Sequence, residues 1–276
     1  MVRSSSFVFE EVKGYKFGYH PFGRPFMFVH IYYVDGLLID TGQRKAQRKI
    51  LEVTDVLNIN QLFITHHHED HTGNIEAMRK RYDLPVYASP RCCEIMKNPP
   101  KLSLAQKLSW GNRPAQHNLL PKTGALTTPN FNFQIIPIPG HATDMVALYE
   151  PERQWLFSAD LYINSYIDYF LEGESMAQQI ASMKKILELD FKVMFCSHKP
   201  QLSSAKKQLS KKLDFFEKFF EQVAVLHSKG YTATQIFNQM KLKENHLVKL
   251  LSGGTLSKLN MVKSVIADLE SGAFMA

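Results

Sequence analysis

Apolar and polar positions change rhythm several times along the 276-residue chain. Two apolar-rich runs open it, Ser6–Val12 and Phe26–Val34 (FMFVHIYYV). The second is rich in β-branched and aromatic side chains, which suit a pleated, half-buried surface. Asp35-Gly36 is a turn signal and Leu37-Leu38-Ile39 follows, so this part reads as a hairpin ending in Asp40-Thr41-Gly42. Between Arg44 and Leu57 the spacing lengthens, with Ile50, Val53, Val56 and Leu57 at helical intervals. Gln61–Thr65 predicts a short buried strand, His66–Thr72 a polar loop, Asn74–Tyr82 a helix and Pro85–Ser89 another strand. Pro99–Pro129 shows no clear period and is expected to cover one side of a cleft. Asn132–Ile138, Val146–Tyr149, Trp155–Ser158 and Val193–Cys196 read as strands, and Met176–Leu189 as a helix. From Ala205 the pattern is helical throughout: Leu209–Lys229, Thr232–Met240, Glu244–Leu251 and Leu256–Ser271, broken at Gly230, Lys241 and Gly253-Gly254. Alternating strands and helices predict a layered α/β fold. The change of texture divides the chain into a catalytic domain, 1–204, and a C-terminal helical region, 205–276. In that region Phe215, Phe216, Phe219, Phe220 and Val223 make a broad apolar face, suited either to packing on the first domain or to a homodimer.

Composition narrows the class. Hydrophobic residues make up 45% and charged residues 21%, which fits a folded chain and argues against wholesale disorder. The net charge is +7, and residues 204–276 carry +5 of it, from eleven lysines against six acids. A basic tail can meet an anionic substrate, RNA or a membrane surface. These lysines are spread among acids instead of clustering, which favours a solvated helical face. Three cysteines, Cys92, Cys93 and Cys196, are too few and too awkwardly placed for a disulfide scaffold. The opening MVRSSSFVFEEVKGYKF lacks the apolar run of a signal peptide. No window approaches the run of about 20 apolar residues that spans a membrane. A soluble, cytoplasmic protein is expected.

The sharpest chemical feature is Thr65-His66-His67-His68-Glu69-Asp70-His71-Thr72-Gly73. Imidazole and carboxylate are the donor types that zinc, iron and manganese share. His66 and His68 alternate and project the same way from an extended loop, while Asp70 and His71 stand at the turn into the next helix. One short loop can therefore face two ions about 3.5–4 Å apart. Further donors follow at strand ends: His141 in Pro139-Gly140-His141, Asp160 in Ser158-Ala159-Asp160, and His198 in Cys196-Ser197-His198. His66 also follows a strand, and this edge of an α/β sheet is where ligands collect.

The loop resembles the HxHxDH signature of the metallo-β-lactamase superfamily, with His141, Asp160 and His198 in the order of its remaining metal positions. Leu37–Gly42 (LLIDTG) resembles the family's early strand-plus-Asp motif, and the resemblance runs from about Phe7 to Pro200. It implies a four-layer αββα sandwich with a C-terminal helical extension. It implies that His66, His68 and His141 hold one ion, that Asp70, His71 and His198 hold another, that Asp160 bridges them, and that Asp40 orients the loop from behind. Two zinc ions sharing a water lower its pKa from 15.7 towards about 7, so a bridging hydroxide forms at neutral pH. That is hydrolase chemistry, with Asp70 as a further proton acceptor and iron or manganese as alternative metals. The layout is similar to the glyoxalase II and β-lactamase-like protein 2 groups. The first implies a glutathione thioester as substrate and the second a single-stranded RNA cut by an endonuclease, while the seven ligands and the compact cleft region point first to a small thioester, ester or lactone. A metal-holding sensor without turnover is the third reading. The terminal SVIADLESGAFMA lacks the arginine-containing pattern associated with a glutathione grip. Lesser candidates are Tyr162, Tyr166 and Tyr169 as pocket walls and His117 as a donor to substrate. His67 and Glu69 are expected to point away from the ions.

Overall fold

Strand formation begins earlier than the apolar runs suggest. β1 (Val2–Phe9) pairs antiparallel with β2 (Val12–Tyr19) across a turn in which Glu10 adopts a left-handed φ of 50°. The sequence VKGYKFGY hides β2 because lysine and glycine interrupt its alternation. The computed structural model describes residues 1–20, 23, 25 and 27–272. The expected strand start at Phe26 and the last four residues of the terminal pattern lie outside the described residues, and β3 runs Val29–Val34. β4 (Leu37–Ile39), β5 (Gln61–Ile64), β6 (Val86–Ala88) and β7 (Leu120–Pro121) complete the first sheet in sequence order, antiparallel up to β4 and parallel beyond it. Its crossovers carry α1 (Gln47–Thr54), the short α2 (Glu69–Thr72), α3 (Ile75–Tyr82), α4 (Pro90–Lys97) and α5 (Leu104–Ser109).

The second sheet is built from β8 (Ala125–Thr127), β9 (Asn132–Pro137), β10 (Val146–Glu150), β11 (Trp155–Ala159) and β13 (Val193–Cys196). Its one parallel pair, β11 with β13, is joined through α6 (Met176–Leu187). After β13 come α7 (Ala205–His227), α8 (Ala233–Gln239), α9 (His246–Leu251) and α10 (Lys258–Glu270). The helix expected over Leu256–Ser271 needs correction at its start, because Leu256–Ser257 forms β14 against β12 (Phe170–Leu171) and α10 begins only at Lys258. α1 also ends before Val56, which is 82% exposed and not the core position its spacing suggested. α4 was not anticipated, although Ser89 capping Cys92 and Pro90 in the first turn supply a start signal.

Strand alternation divides the apolar residues among three layers. Leu37, Ile39 and Phe63 face Phe133, Leu148, Trp155, Phe157 and Phe195 between the sheets. Leu38, Leu62 and Ile64 turn outward to meet Ile50, Met78 and Met96 from α1, α3 and α4. On the far side Leu156, Met194 and Cys196 meet Ile180, Met183, Phe216, Phe220, Val223, Val262 and Val265 from α6, α7 and α10. β4 and β5 are buried on both faces, which is why they read as continuous apolar runs. The result is the expected four-layer αββα sandwich, and the phenylalanine face of α7 forms part of its third core. No helix among the described residues is long and apolar enough to cross a membrane.

One lysine of the basic tail is not solvated. Lys212 is 1% exposed, donates to the Leu161 carbonyl at 2.7 Å and lies 4.9 Å from the Phe216 ring centroid. Burial pushes its pKa down to about 8, with Glu174, Cys196 and Asp160 partly opposing. The folded protein thus gives up this proton at lower pH than the unfolded chain, and stability rises with pH between the two values. Urea unfolding of wild type and Lys212→Met is expected to show wild type gaining about 3 kcal/mol on the variant between about pH 7 and pH 10.5. Parallel pH profiles for the two proteins would show that the ammonium is solvated.

Candidate metal centre

Asp40, just after the neighbouring strand β4, ties down the HxHxDH loop. Its Oδ1 accepts Thr65 N at 2.9 Å, and its Oδ2 accepts Thr65 Oγ1 at 2.9 Å and His71 Nδ1 at 2.7 Å. Thr41 closes the other side, with its amide and its hydroxyl each donating to the His71 carbonyl at 2.8 Å. Asn74 Nδ2 then donates to the carbonyls of Thr41, Gly42 and Gln43. Asp40 holds a left-handed φ of 62°, and Ala159, next to Asp160, one of 45° beyond a register shift in β11. Strained backbone of this kind persists where the surroundings over-determine it.

All seven expected donors converge, in two groups. His66, His68 and His141 form one, and Asp70, His71, Asp160 and His198 form the other, with the donor atoms of each group within 4.8 Å of one another. In the first, His68 Nδ1 is 3.1 Å from His141 Nε2. In the second, His198 Nε2 is 3.5 Å from Asp70 Oδ2, and His71 Nε2 is 3.8 Å from Asp70 Oδ1. Asp160 touches both: Oδ2 is 3.0 Å from His198 Nε2 and 3.4 Å from His141 Nε2, while Oδ1 is 3.5 Å from His71 Nε2. Outer contacts fix which ring nitrogen faces inward. His198 Nδ1 donates to the Phe28 carbonyl at 2.7 Å and His71 Nδ1 points at Asp40, so Nε2 is presented in each.

The electrostatics fit a cation. His66 Nε2, His71 Nε2 and Asp160 Oδ1 are buried without a hydrogen-bond partner among the described residues. Each such orphan costs roughly 1–3 kcal/mol unless something satisfies it, and these three belong to one cluster. Burial pushes the pKa of His66 and His68 well below the usual imidazole range, and neighbouring imidazoles push the same way, so both are neutral donors. Burial also opposes charge on His71, His141 and His198, but nearby carboxylates win. Asp160 is the largest of these for His71 and His198, and Glu174 for His141, whose pKa rises to about 10. Burial would raise the Asp160 pKa, but His198 and His71 hold it well below the carboxylate range. The carboxylates draw positive charge into this cluster, and a bound cation would supply it in place of protons.

His67 and Glu69 turn away as expected. His67 Nδ1 meets Asp144 at 2.7 Å, while Glu69 accepts Gln106 Nε2 at 3.0 Å and lies 3.9 Å from Arg113. Arg113 also donates to the His67 carbonyl at 2.6 Å, so a segment with no readable period braces the loop. Tyr162 is buried in the third core, Tyr166 is 65% exposed with its ring edge-on to Phe215, and His117 is exposed. Cys196 is buried and its Sγ takes the Ile163 amide at 3.3 Å. A surface cavity of about 520 Å³ lies elsewhere, at the start of β11 and β13, and none of the seven donors lines it. Glu174, 3.2 Å from His141 Nδ1, escaped sequence reading because nothing in Gly173-Glu174-Ser175 marks it.

Comparison with known proteins agrees with this architecture. The family model described as Metallo-beta-lactamase superfamily matches residues 24–198. A hydroxyacylglutathione hydrolase of Bdellovibrio bacteriovorus is 27% identical over 152 residues, 53% of this chain and 53% of that protein, so the match spans about half the length of each. The hydroxyacylglutathione hydrolase of Serratia proteamaculans is 25% identical over 215 residues, 76% of each. Among solved structures, a beta-lactamase domain protein from Burkholderia ambifaria aligns with a TM-score of 0.69 at 14% identity, covering 96% of this chain and 89% of that one. A metallo-beta-lactamase family protein from Thermus thermophilus aligns with a TM-score of 0.66 at 17% identity, covering 92% of each.

Proposed function

We propose that this chain, which belongs to the metallo-beta-lactamase superfamily, is a metal-dependent hydrolase that holds two divalent ions, zinc first, and cleaves a small thioester, ester or lactone. The observation that carries the reading is Asp160, whose oxygens lie within 3.5 Å of histidines from both donor groups. His66, His68 and His141 would hold one ion, Asp70, His71 and His198 the other, and Asp160 both. When bound, the ions supply a water of lowered pKa and a Lewis acid for the electrophile.

The chain's own residues set the conditions for that chemistry. Asp40 and the Phe28 carbonyl fix the inward-facing nitrogens of His71 and His198. Asp70 is part of the second group and serves as a proton acceptor during turnover. His66, Asp70, His71 and Asp160 are buried, which strengthens the charge interactions among them. The relatives named hydroxyacylglutathione hydrolase favour an acyl–sulfur substrate over the other two.

Metal analysis of purified protein is expected to find two equivalents of a transition metal. Hydrolysis within a panel of thioester, ester, lactone, phosphodiester and RNA substrates should stop with a chelator and return with zinc. No bound metal, together with no activity after adding zinc, iron or manganese, would overturn the reading. Turnover of RNA alone would move it to a nuclease.

A further inference from the structure

We infer that Glu174 is the positioning carboxylate of the three-histidine group and that the last helix, α10, holds it there; the inference rests on the two-ion reading above. The two donor groups differ in charge. The second has Asp70 and Asp160 among its donors and Asp40 behind His71. The first has three histidines and only a share of Asp160. A dication on neutral imidazoles in a buried pocket is short of negative charge. A carboxylate behind a ligating histidine supplies part of it, and it fixes the ring and makes the donor nitrogen more basic.

Glu174 meets that description. Its Oε2 is 3.2 Å from His141 Nδ1, and its side chain is 7% exposed. The carboxylate cannot swing away, because Oε1 accepts the Leu171 amide at 2.8 Å and Oε2 also accepts Gln179 Nε2 at 2.8 Å. With Nδ1 turned to Glu174, His141 presents Nε2 towards His68 and Asp160. Each donor group therefore has one histidine backed by a carboxylate: Asp40 behind His71 and Glu174 behind His141.

α10 fixes the turn that carries Glu174. The first amides of α6 have no partners within their own helix. Met176 N donates to Ser264 Oγ at 2.8 Å and Ala177 N to Asp268 Oδ2 at 2.8 Å, both on α10. Ser175 Oγ donates to Asp268 Oδ1 at 2.6 Å. Ser175 N in turn donates to the Gly140 carbonyl at 2.9 Å, next to His141 itself. The β12–β14 pairing ties the preceding residues, Phe170 and Leu171, to the same C-terminal region. Side chains on the last helix thus determine where the turn sits, and the turn determines where His141 points.

The test uses full-length protein loaded with cadmium and observed by cadmium NMR, with the first group's resonance identified by its coupling to the His141 ring nitrogen. Glu174→Gln is expected to move that resonance alone and to weaken retention of that ion against a competing chelator by about 10–100-fold. Asp268→Asn should act on the same ion, in the same direction, by a smaller factor. Circular dichroism checks folding, and if Asp268→Asn fails to fold, Glu174→Gln decides by itself. Wild type holding two ions with both resonances unmoved in Glu174→Gln, or with both ions loosened equally, overturns this inference alone. Wild type that takes up no cadmium sinks the two-ion reading and this inference with it.

Discussion

Asp160→Ala is expected to release both ions and to lower hydrolysis by at least about a thousandfold, some 4 kcal/mol of transition-state stabilisation. The expectation follows from position. No other donor has oxygens within 3.5 Å of histidines from both groups: Oδ2 faces His198 and His141, and Oδ1 faces His71. Removing the side chain leaves His66, His68 and His141 without a shared anion and leaves the second group with Asp70 as its one carboxylate. The backbone is held independently of that side chain. Leu161 N donates to the Ser158 carbonyl, Ser197 N donates to that of Ala159, and Lys212 Nζ donates to that of Leu161. The variant should therefore fold with its site in place and empty. Metal content and initial rates, measured on whichever substrate wild type turns over, check this. A variant that keeps both ions and more than about a tenth of the rate would remove Asp160 from the centre of the mechanism.

The donors were legible because four of them stand just beyond strands, which announce themselves by composition, and the other three share one short loop with His66. His66 follows β5, His141 follows β9, Asp160 follows β11 and His198 follows β13. What supports them was not legible, because the supporting contacts join distant parts of the chain and leave no local period. Glu174 reads as one more acid before a helix, and Asp268 as a polar position on a solvated face. Their partners, His141 and the first turn of α6, lie far away in sequence. Lys212 is the sharper case. Among lysines spaced like a solvated face it is the one buried under the Asp160 turn, and only the packing of α7 shows which lysine that is. β2 failed for a different reason. Val12 and Phe17 are buried on opposite faces, Val12 between the sheets and Phe17 towards the helices, and with Lys13, Gly14, Lys16 and Gly18 around them no period-2 pattern emerges.

Gly140→Ala is expected to cost about 3 kcal/mol or more of folding stability and to loosen the ion held by His141. Two separate penalties combine there. Gly140 has a φ of 131°, a region that L side chains rarely adopt, worth roughly 1–3 kcal/mol when forced. A Cβ at this position would also stand 2.5 Å from Gln179 N, 2.6 Å from its Cγ and 2.9 Å from its Cα. The side-chain atom can move aside; the backbone atoms cannot, because Gln179 N closes the first turn of α6 onto the Ser175 carbonyl at 3.1 Å. Overpacking against such a neighbour adds about 1–3 kcal/mol. Relief requires α6 to shift, and α6 begins with the residues that hold Glu174 against His141. Gly124→Ala separates the two penalties: its φ is 73°, but nothing lies within 4 Å of the added Cβ, so only the backbone cost applies. Unfolding free energies from urea titration should therefore differ by at least the packing cost, since the Gly140 φ of 131° is also further from conformations an L residue adopts than the 73° of Gly124. Stability of Gly140→Ala within about 0.5 kcal/mol of wild type would mean that α6 yields freely and is no rigid support for the site.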